Sequence, residues 1–468
     1  MKILQEKLEQ YFAAHRDEMV EDICRMVRVD SVKGEPQPGK PYGPGPAAAL
    51  DAMTALAEKY GFTVEDHDHR VITVDLNDQP RALDMLAHLD VVPVGEGWTE
   101  TEPFAPAVKD GRIYGRGASD DKGPAVAALY ALRAVKELGI SLSKNARLIL
   151  GSDEESGMSD VKYYYKHNAA APMTFSPDGG FPVINIEKGK IATHFTANWP
   201  GEDGLPRLTA FHCGEKSNVL PGKARAEIAG LSAGDLRPAA EMAAAETGIE
   251  YLLSDTADGV RIVANGVGAH VANPKKGNNA LTGLLVLLCR LPLVQDGGLR
   301  RLVSLLELFP HGDNTGAGLG IALQNEESGD LTALLTVLHL EGNELSGDID
   351  IRIPLNATRE NTVDVLMPRL QAAGIDVTCD YREPHAVSAD SPLVQELLRC
   401  YEAYTGRKGE AVAIGGSTYV HWTPGGVAFG CTFPEIDNHA HGANEFAEIE
   451  TLIVSAQMFA QAIVDLCE

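Results

Sequence analysis

Five residues spread along the chain carry side chains that hold divalent metal: His88, Asp120, Glu155, Asp178 and His441. Two imidazoles and three carboxylates suit a borderline cation such as Zn2+, with Mn2+ or Co2+ as substitutes. One carboxylate bridging two ions would give each ion three protein ligands and leave open positions, the arrangement of a catalytic rather than a structural site. Asp90 lies two residues beyond His88. At a strand end the two side chains then project to the same side, and Asp90 is placed to take the far ring N–H of His88 and fix its tautomer. Glu154 and Glu155 are neighbours, so on an extended segment their side chains diverge. One can bind metal while the other faces a substrate as general base. Near the C-terminus there are two imidazoles to choose from, His439 and His441. Taken singly, each residue has a plainer reading: a hydrogen-bonded core histidine for His88, a turn aspartate for Asp178, a solvated surface pair for the two glutamates, a loop histidine for His441.

Their places on the predicted elements set them apart. Apolar spacing predicts strands at 63–65, 71–76, 83–87, 146–150 and 173–176, with helices at 124–138 and 159–167. Strands alternating with helices predict a catalytic α/β domain whose mostly parallel sheet is flanked by helices. In such sheets ligands gather beyond the carboxyl ends of the strands. His88, Glu154, Glu155 and Asp178 all fall just past such ends. Asp120 and Asp121 stand in Gly115-Arg-Gly-Ala-Ser-Asp-Asp-Lys-Gly123, where a glycine-rich loop becomes a helix. A helix start favours negative charge, and Pro124 fits its first turn, so alone this stretch reads as a capped helix behind a turn.

The flanking chain predicts helices at 2–28 and 47–60 with a Pro/Gly-rich loop between them. From 191 the texture changes. Strands at 191–198, 208–213, 224–229 and 260–264 with helices at 235–247 and 278–290 form one set. Helices at 299–308 and 358–373, a hairpin of 334–340 with 346–354 and a strand at 375–381 form another. This predicts an inserted α+β domain of two related halves, 191–385, between the two parts of the catalytic metal-binding domain, 1–190 and 386–468. In the last part a helix at 392–405, strands at 411–414 and 427–431 and a helix at 446–466 complete the first sheet.

Acidic residues outnumber basic ones 66 to 40, for a net charge of −26. That balance argues against nucleic acid and against an anionic membrane surface as partners, since both are met with clustered Lys and Arg. No run of 18 or more apolar residues marks a membrane span, and the first residues lack the apolar core of a signal peptide. With seven scattered cysteines and no Cys-x-x-Cys, the expectation is a cytoplasmic protein with reduced thiols.

Five stretches in order, His88-Leu-Asp-Val-Val-Pro93, Gly115 to Gly123, Asp153-Glu-Glu-Ser156, Ser176-Pro-Asp178 and His441-Gly-Ala-Asn-Glu445, resemble the motifs of one superfamily. It is the dinuclear zinc metallopeptidase superfamily of carboxypeptidase G, the aminoacylases and tripeptidase T. The resemblance is closest to bacterial dipeptidases of the PepV and Sapep type (Xaa-His dipeptidase-like) and runs from the first helix to the last. It implies that Asp120 bridges two Zn2+ ions, that His88 and Asp178 complete one site, and that Glu155 and His441 complete the other. Glu154 is then the general base and the proton donor to the leaving amine. A cis peptide between Asp120 and Asp121 is also implied.

Within the inserted region, Gly214 to Gly222, Gly268-Ala-His270 and Asp348-Ile-Asp-Ile-Arg352 resemble the lid of those dipeptidases, and Gly415-Gly-Ser-Thr-Tyr419 resembles their glycine-rich pocket loop. The resemblance implies substrate-binding roles for Asn218 and His270 at the scissile carbonyl, Arg352 at the peptide carboxylate, and Gly415 and Gly416 along the carboxylate end. The sequence departs from the family at Ala440-His441-Gly442, where an apolar residue followed by His-Gln is usual, and at Ser417, where a further glycine is common. Counting back from Glu445 selects His441.

The expected protein is a metal-dependent dipeptidase acting on unblocked dipeptides. It is monomeric, with both lid halves on one chain, although related enzymes also form dimers. The alternative is an N-acyl amino acid deacylase or carboxypeptidase of the same superfamily, because all these reactions cleave an amide beside a free carboxylate. A noncatalytic binding protein on the same fold is disfavoured by the complete ligand set with Glu154.

Overall fold

The computed structural model describes residues 2–468 and divides into two compact units. Among the described residues the first comprises 2–186, Ala386–Val412 and Ser417–Glu468; the second comprises Glu187–His385 and Ala413–Gly416.

In the first unit the strands run in the order Val64–His67, Val71–Asp75, Asn145–Gly151, Arg81–His88, Met173–Ser176, Gly426–Ala428 and Val183–Glu187. The centre is parallel, from Asn145–Gly151 through Arg81–His88 and Met173–Ser176 to Gly426–Ala428. The margins are antiparallel. The chain order explains the centre: the helix Lys122–Glu137 connects Arg81–His88 to Asn145–Gly151, and Ser159–His167 connects Asn145–Gly151 to Met173–Ser176. Parallel neighbours require such crossovers. Covered on both faces, Arg81–His88 is buried from its second residue to its last.

The helix Lys122–Glu137 is buried without a break from Lys122 to Val135, as expected of a stretch that is apolar on all sides. It packs against Lys2–Val27 and Ile449–Cys467. The latter is long and apolar enough to cross a membrane, but 72% of its most apolar window is buried in this core. It therefore serves as a core helix of the first unit.

The second unit is built on an antiparallel sheet of eight strands: Glu250–Asp255, Gly259–Asn265, Lys223–Ala229, Arg207–Cys213, Thr332–Glu341, Glu344–Ile353, Gly189–Asn198 and Asp376–Arg382. Its two four-stranded halves join where Arg207–Cys213 pairs with Thr332–Glu341. Burial alternates along Gly189–Asn198, with Ile191, Phe195 and Ala197 in the core alongside residues of the helices Ala233–Thr247, Ala280–Leu288, Gly297–Leu308 and Val363–Ala372. The opposite parity, including His194, His212 and His339, stays outside that core.

Sequence patterning missed the strands Val183–Glu187 and Glu250–Asp255. The second of these lies at the sheet edge with no fully buried residue, so it carries no apolar alternation to read. The division of the chain also differs from expectation at Ala413–Gly416, which groups with the second unit. The amide of Lys188 donates to Ile414 O at 2.9 Å and Arg352 Nη1 donates to Gly415 O at 3.0 Å, and these bonds tie the segment down.

Candidate metal centre

Of three parallel strands in the first unit, two end level and the third ends two residues short of them. His88 is the last residue of its strand and pairs with Gly151, the last residue of Asn145–Gly151; Met85 pairs with Phe175, next to the end of Met173–Ser176. Glu154 and Glu155 follow Gly151 in a turn, and Asp178 follows Ser176. The crevice beyond the carboxyl ends of these strands thus collects four of the candidate residues.

The fifth and sixth come from loops. Gly117 has a φ of 86°, open to glycine, and a Cβ on Gly123 would lie 2.0 Å from Ala118 O, so the chain can fold tightly over itself before the helix. The Asp120–Asp121 peptide is cis. Asp121 occupies the N-cap position of Lys122–Glu137 but makes no side-chain cap bond. Its Oδ2 accepts instead from the His88 amide at 3.1 Å. The simple capped-helix reading therefore fails here. His441 comes from the loop before Phe446–Glu448, a strand that pairs with Arg112–Tyr114 and so lies beside the start of the Gly115–Gly123 stretch.

Asp120 stands between the two imidazoles. Its Oδ1 lies 3.0 Å from His88 Nε2 and its Oδ2 lies 2.9 Å from His441 Nε2. His88 Nε2 is also 3.7 Å from Asp178 Oδ2, and His441 Nε2 is 3.1 Å from Glu155 Oε1. Ligand atoms of His88, Asp120 and Glu155 lie within 4.8 Å of one another, as do those of His88, Glu154 and Asp178. The loop histidine His439 takes no part; its ring packs edge-on against Phe446 at 5.9 Å between centroids.

The electrostatics of this cluster fit bound cations. Burial, reinforced by the neighbouring Asp120 carboxylate, pushes Asp178 up to about 7. Burial and Asp120 also raise Glu155, and burial drives Glu154 well above its ordinary range, against the pull of His88. Burial alone would lower His88 and His441, yet their carboxylate partners raise both, His441 to about 11. Asp120 is lowered because its two imidazole partners outweigh its burial. Carboxylates crowded like this ionise together only when added positive charge stabilises them. The donor set, two imidazoles and three or four carboxylate groups, is that of a borderline divalent pair. A third group of such side chains, Glu396, Cys400 and Asp465, is already neutralised by Arg399, whose Nη2 is 2.6 Å from Asp465.

Among the supporting residues, Asp90 does more than the sequence suggested, and Asp160 and Glu445 escaped it. Asp90 was expected to hold the His88 ring through its carboxylate. In the structure Nδ1 of His88 lies 3.0 Å from the main-chain O of Asp90 and 3.5 Å from its carboxylate. That carboxylate also accepts from the amides of Glu154 and Glu155, at 3.1 and 3.2 Å, and so fixes the turn that carries both glutamates. Asp160 accepts from the amides of Ser152 and Asp153 at 2.6 and 2.8 Å and from the Tyr419 hydroxyl, steadying the start of the same turn. Glu445 served only as a counting mark in the sequence, yet its carboxylate accepts from the amides of Gly117, Ser119 and Asp120.

The remaining candidates gather within the second unit. Arg352, on Glu344–Ile353, is buried and pairs across the sheet with Thr332, whose hydroxyl donates to Val271 O at 3.4 Å. Val271 follows His270, and the Val271 amide donates to Asn218 O at 3.1 Å. The short strands Val219–Leu220 and Ala269–His270 pair, with Val219 opposite His270. A Cβ on Gly415 would lie 2.7 Å from that of Ala272. Asn218, His270, Arg352 and Gly415 with its neighbour Gly416 thus belong to one end of the eight-stranded sheet.

Comparison with known proteins identifies the family. The profile of the family described as peptidase family M20/M25/M40 matches residues 85–465. The Bacillus subtilis (strain 168) protein named "Putative dipeptidase YtjP" is 35% identical, over 97% of this chain and 98% of its own. The Beta-Ala-Xaa dipeptidase of Lactobacillus delbrueckii subsp. lactis is 32% identical over 97% of each. Among solved structures, human carnosine dipeptidase 1 superposes with a TM-score of 0.63 at 16% identity, covering 99% of both chains, which is a likeness of fold.

Proposed function

Because this chain belongs to peptidase family M20/M25/M40 and is a metal-dependent dipeptidase, we propose how its residues divide the reaction. Asp120 would be the ligand shared by two Zn2+ ions, with His88 and Asp178 to hold one and Glu155 and His441 to hold the other. When bound, such ions would supply Lewis acidity toward a carbonyl oxygen and toward a water. Glu154 accepts the water proton on its carboxylate and delivers it to the leaving amine nitrogen. A raised pKa suits both halves of that transfer. Asp90 holds the Glu154–Glu155 turn in place through its two amide bonds.

The observation that carries this reading is Asp120, whose two oxygens address different imidazoles at 3.0 and 2.9 Å. A carboxylate in a simple ion pair has no need to be shared in this way; a bridging ligand must be.

The substrates are unblocked dipeptides, and Asn218, His270, Arg352, Gly415 and Gly416 are the substrate-binding residues of the second unit, with Arg352 for the free carboxylate. The Lactobacillus relative's name supports extending this to β-alanyl dipeptides. Seven free cysteines support a reducing, cytoplasmic setting, and the two joined halves of the second unit on one chain support a monomer. Metal analysis of the purified chain, joined to assays of Ala-containing dipeptides against their N-acetyl forms, tests the reading. Two equivalents of Zn2+ and a strong preference for the free amine are expected. Preference for the N-acetyl substrates would move the chain to the deacylases, and full activity after exhaustive chelation would end the metal mechanism.

A further inference from the structure

The two halves of the metal centre are built differently. His88 and Asp178 rise from strand ends, and the His88 side chain is 0% exposed. His441 stands on a loop, 44% exposed, and its φ is 62°. His439 at 56° and Asn444 at 59° share the left-handed region, so this loop takes up a conformation that side-chain-bearing residues adopt at a cost. Something must hold it there.

The holding group is a buried ion pair. Glu445 and Arg116 have side chains 0% and 1% exposed, with Glu445 Oε2 2.5 Å from Arg116 Nη1. Glu445 Oε1 accepts the amides of Gly117 and Ser119 at 3.0 Å and of Asp120 at 3.2 Å, which fixes the backbone of the bridging aspartate. Arg116 Nη2 donates to Gly442 O at 3.1 Å, next to His441, and the Gly115 amide donates to Glu445 O at 3.0 Å. Each loop thus reaches into the other: the His441 loop grips the Asp120 backbone through Glu445, and the Asp120 loop grips the His441 backbone through Arg116. The resulting spacing puts Asp120 Oδ2 2.9 Å from His441 Nε2.

We propose that Glu445, with Arg116, is the positioning residue of the His441–Glu155 half of the centre, and that this half keeps its ion only while the clamp is intact. The inference rests on the proposed two-ion reading. Groups that orient metal ligands change metal affinity by about 10–100-fold when altered.

The test is Glu445→Gln in the full chain, read by bound Zn2+ after dialysis, by Zn2+ titration of the stripped protein, and by thermal melting. Bound metal should fall from two equivalents toward one, the weaker ion should need about 10–100-fold more free Zn2+, and the tighter ion, which shares only Asp120 with the clamp, should weaken far less. Should Glu445→Gln fail to fold, Arg116→Lys keeps the charge and shortens the reach to Gly442; it should show the same one-sided loss. Two ions bound at wild-type affinity in the folded variants would overturn the proposal. So would equal weakening of both ions, which marks a merely structural pair. Wild-type protein that binds no second ion would overturn the two-ion reading itself, a result visible before any variant is made.

Discussion

The carboxylate of Asp121 accepts the backbone amide of His88 at 3.1 Å, so the acid that follows Asp120 serves the strand end that carries the first imidazole. Both groups are buried, and Asp121 Oδ1 has no hydrogen-bond partner among the described residues. Burial, reinforced by nearby Asp178, raises the Asp121 pKa well above its ordinary range. Replacing this side chain by Ala orphans a buried N–H, which costs about 1–3 kcal/mol. Asp121→Ala should therefore lower the melting temperature and loosen the ion at His88. Asp121→Asn keeps the shape and an acceptor and should lose less on both measures. A melt and a metal titration for each variant decide it; equal losses would mean that charge, not the bond to His88, is what matters.

Glu154 and Glu155 part ways in what they touch. Glu155 Oε1 meets His441 at 3.1 Å, whereas Glu154 groups with His88 and Asp178. Glu154→Gln should keep both ions and lose a factor on the order of 10²–10⁴ in kcat. Glu155→Ala should lose an ion. Metal stoichiometry beside kcat distinguishes base from ligand, and a Glu154 variant that loses metal while the Glu155 variant retains it would reverse the two roles.

What the sequence displayed and what it hid follow from the range of the interactions. His88, Glu154, Glu155 and Asp178 were legible because a strand's end is a local property, marked by an apolar run that stops. Asp121 was misread because a loop-to-helix Asp looks like a cap whatever its side chain contacts, and the bond to His88 crosses 33 positions. Glu445 and Arg116, 329 positions apart, form a buried pair that no local pattern announces. The grouping of Ala413–Gly416 with the second unit was hidden for the same reason, since Arg352 and Lys188 hold it from distant points of the chain.

The two C-terminal histidines offer a direct check on register. His441 is within 3.1 Å of both Asp120 and Glu155, while His439 packs on Phe446. His441→Ala should cost one equivalent of metal and most of the activity. His439→Ala should leave stoichiometry at two and affect chiefly the packing of the loop. Zinc analysis of the two variants side by side would expose the reverse ranking, which would place the ligand two residues earlier.

Arg352 is the residue whose role turns on the count of its donors. Its Nε and Nη2 hold Asp350 at 2.6 and 3.0 Å, and its Nη1 holds Gly415 O at 3.0 Å. A guanidinium has five N–H donors, so one remains on each terminal nitrogen, the spacing that grips a carboxylate. Asp350, fully buried and also 3.2 Å from Lys190, fixes the plane of the fork in advance. A charge-assisted contact to the peptide carboxylate contributes about 1.5–3 kcal/mol. Arg352→Ala should then cut kcat/KM for a dipeptide by roughly tenfold to more than a hundredfold, at 1.4 kcal/mol per decade. The corresponding dipeptide amide, with no carboxylate to lose, should be much less affected. Arg352→Lys should recover little, because a lysine keeps the charge but cannot hold Asp350, Gly415 and the substrate at once. Both substrates are to be measured on wild type and both variants. Equal losses on acid and amide would assign Arg352 to holding the Gly415 loop rather than to reading the substrate's end.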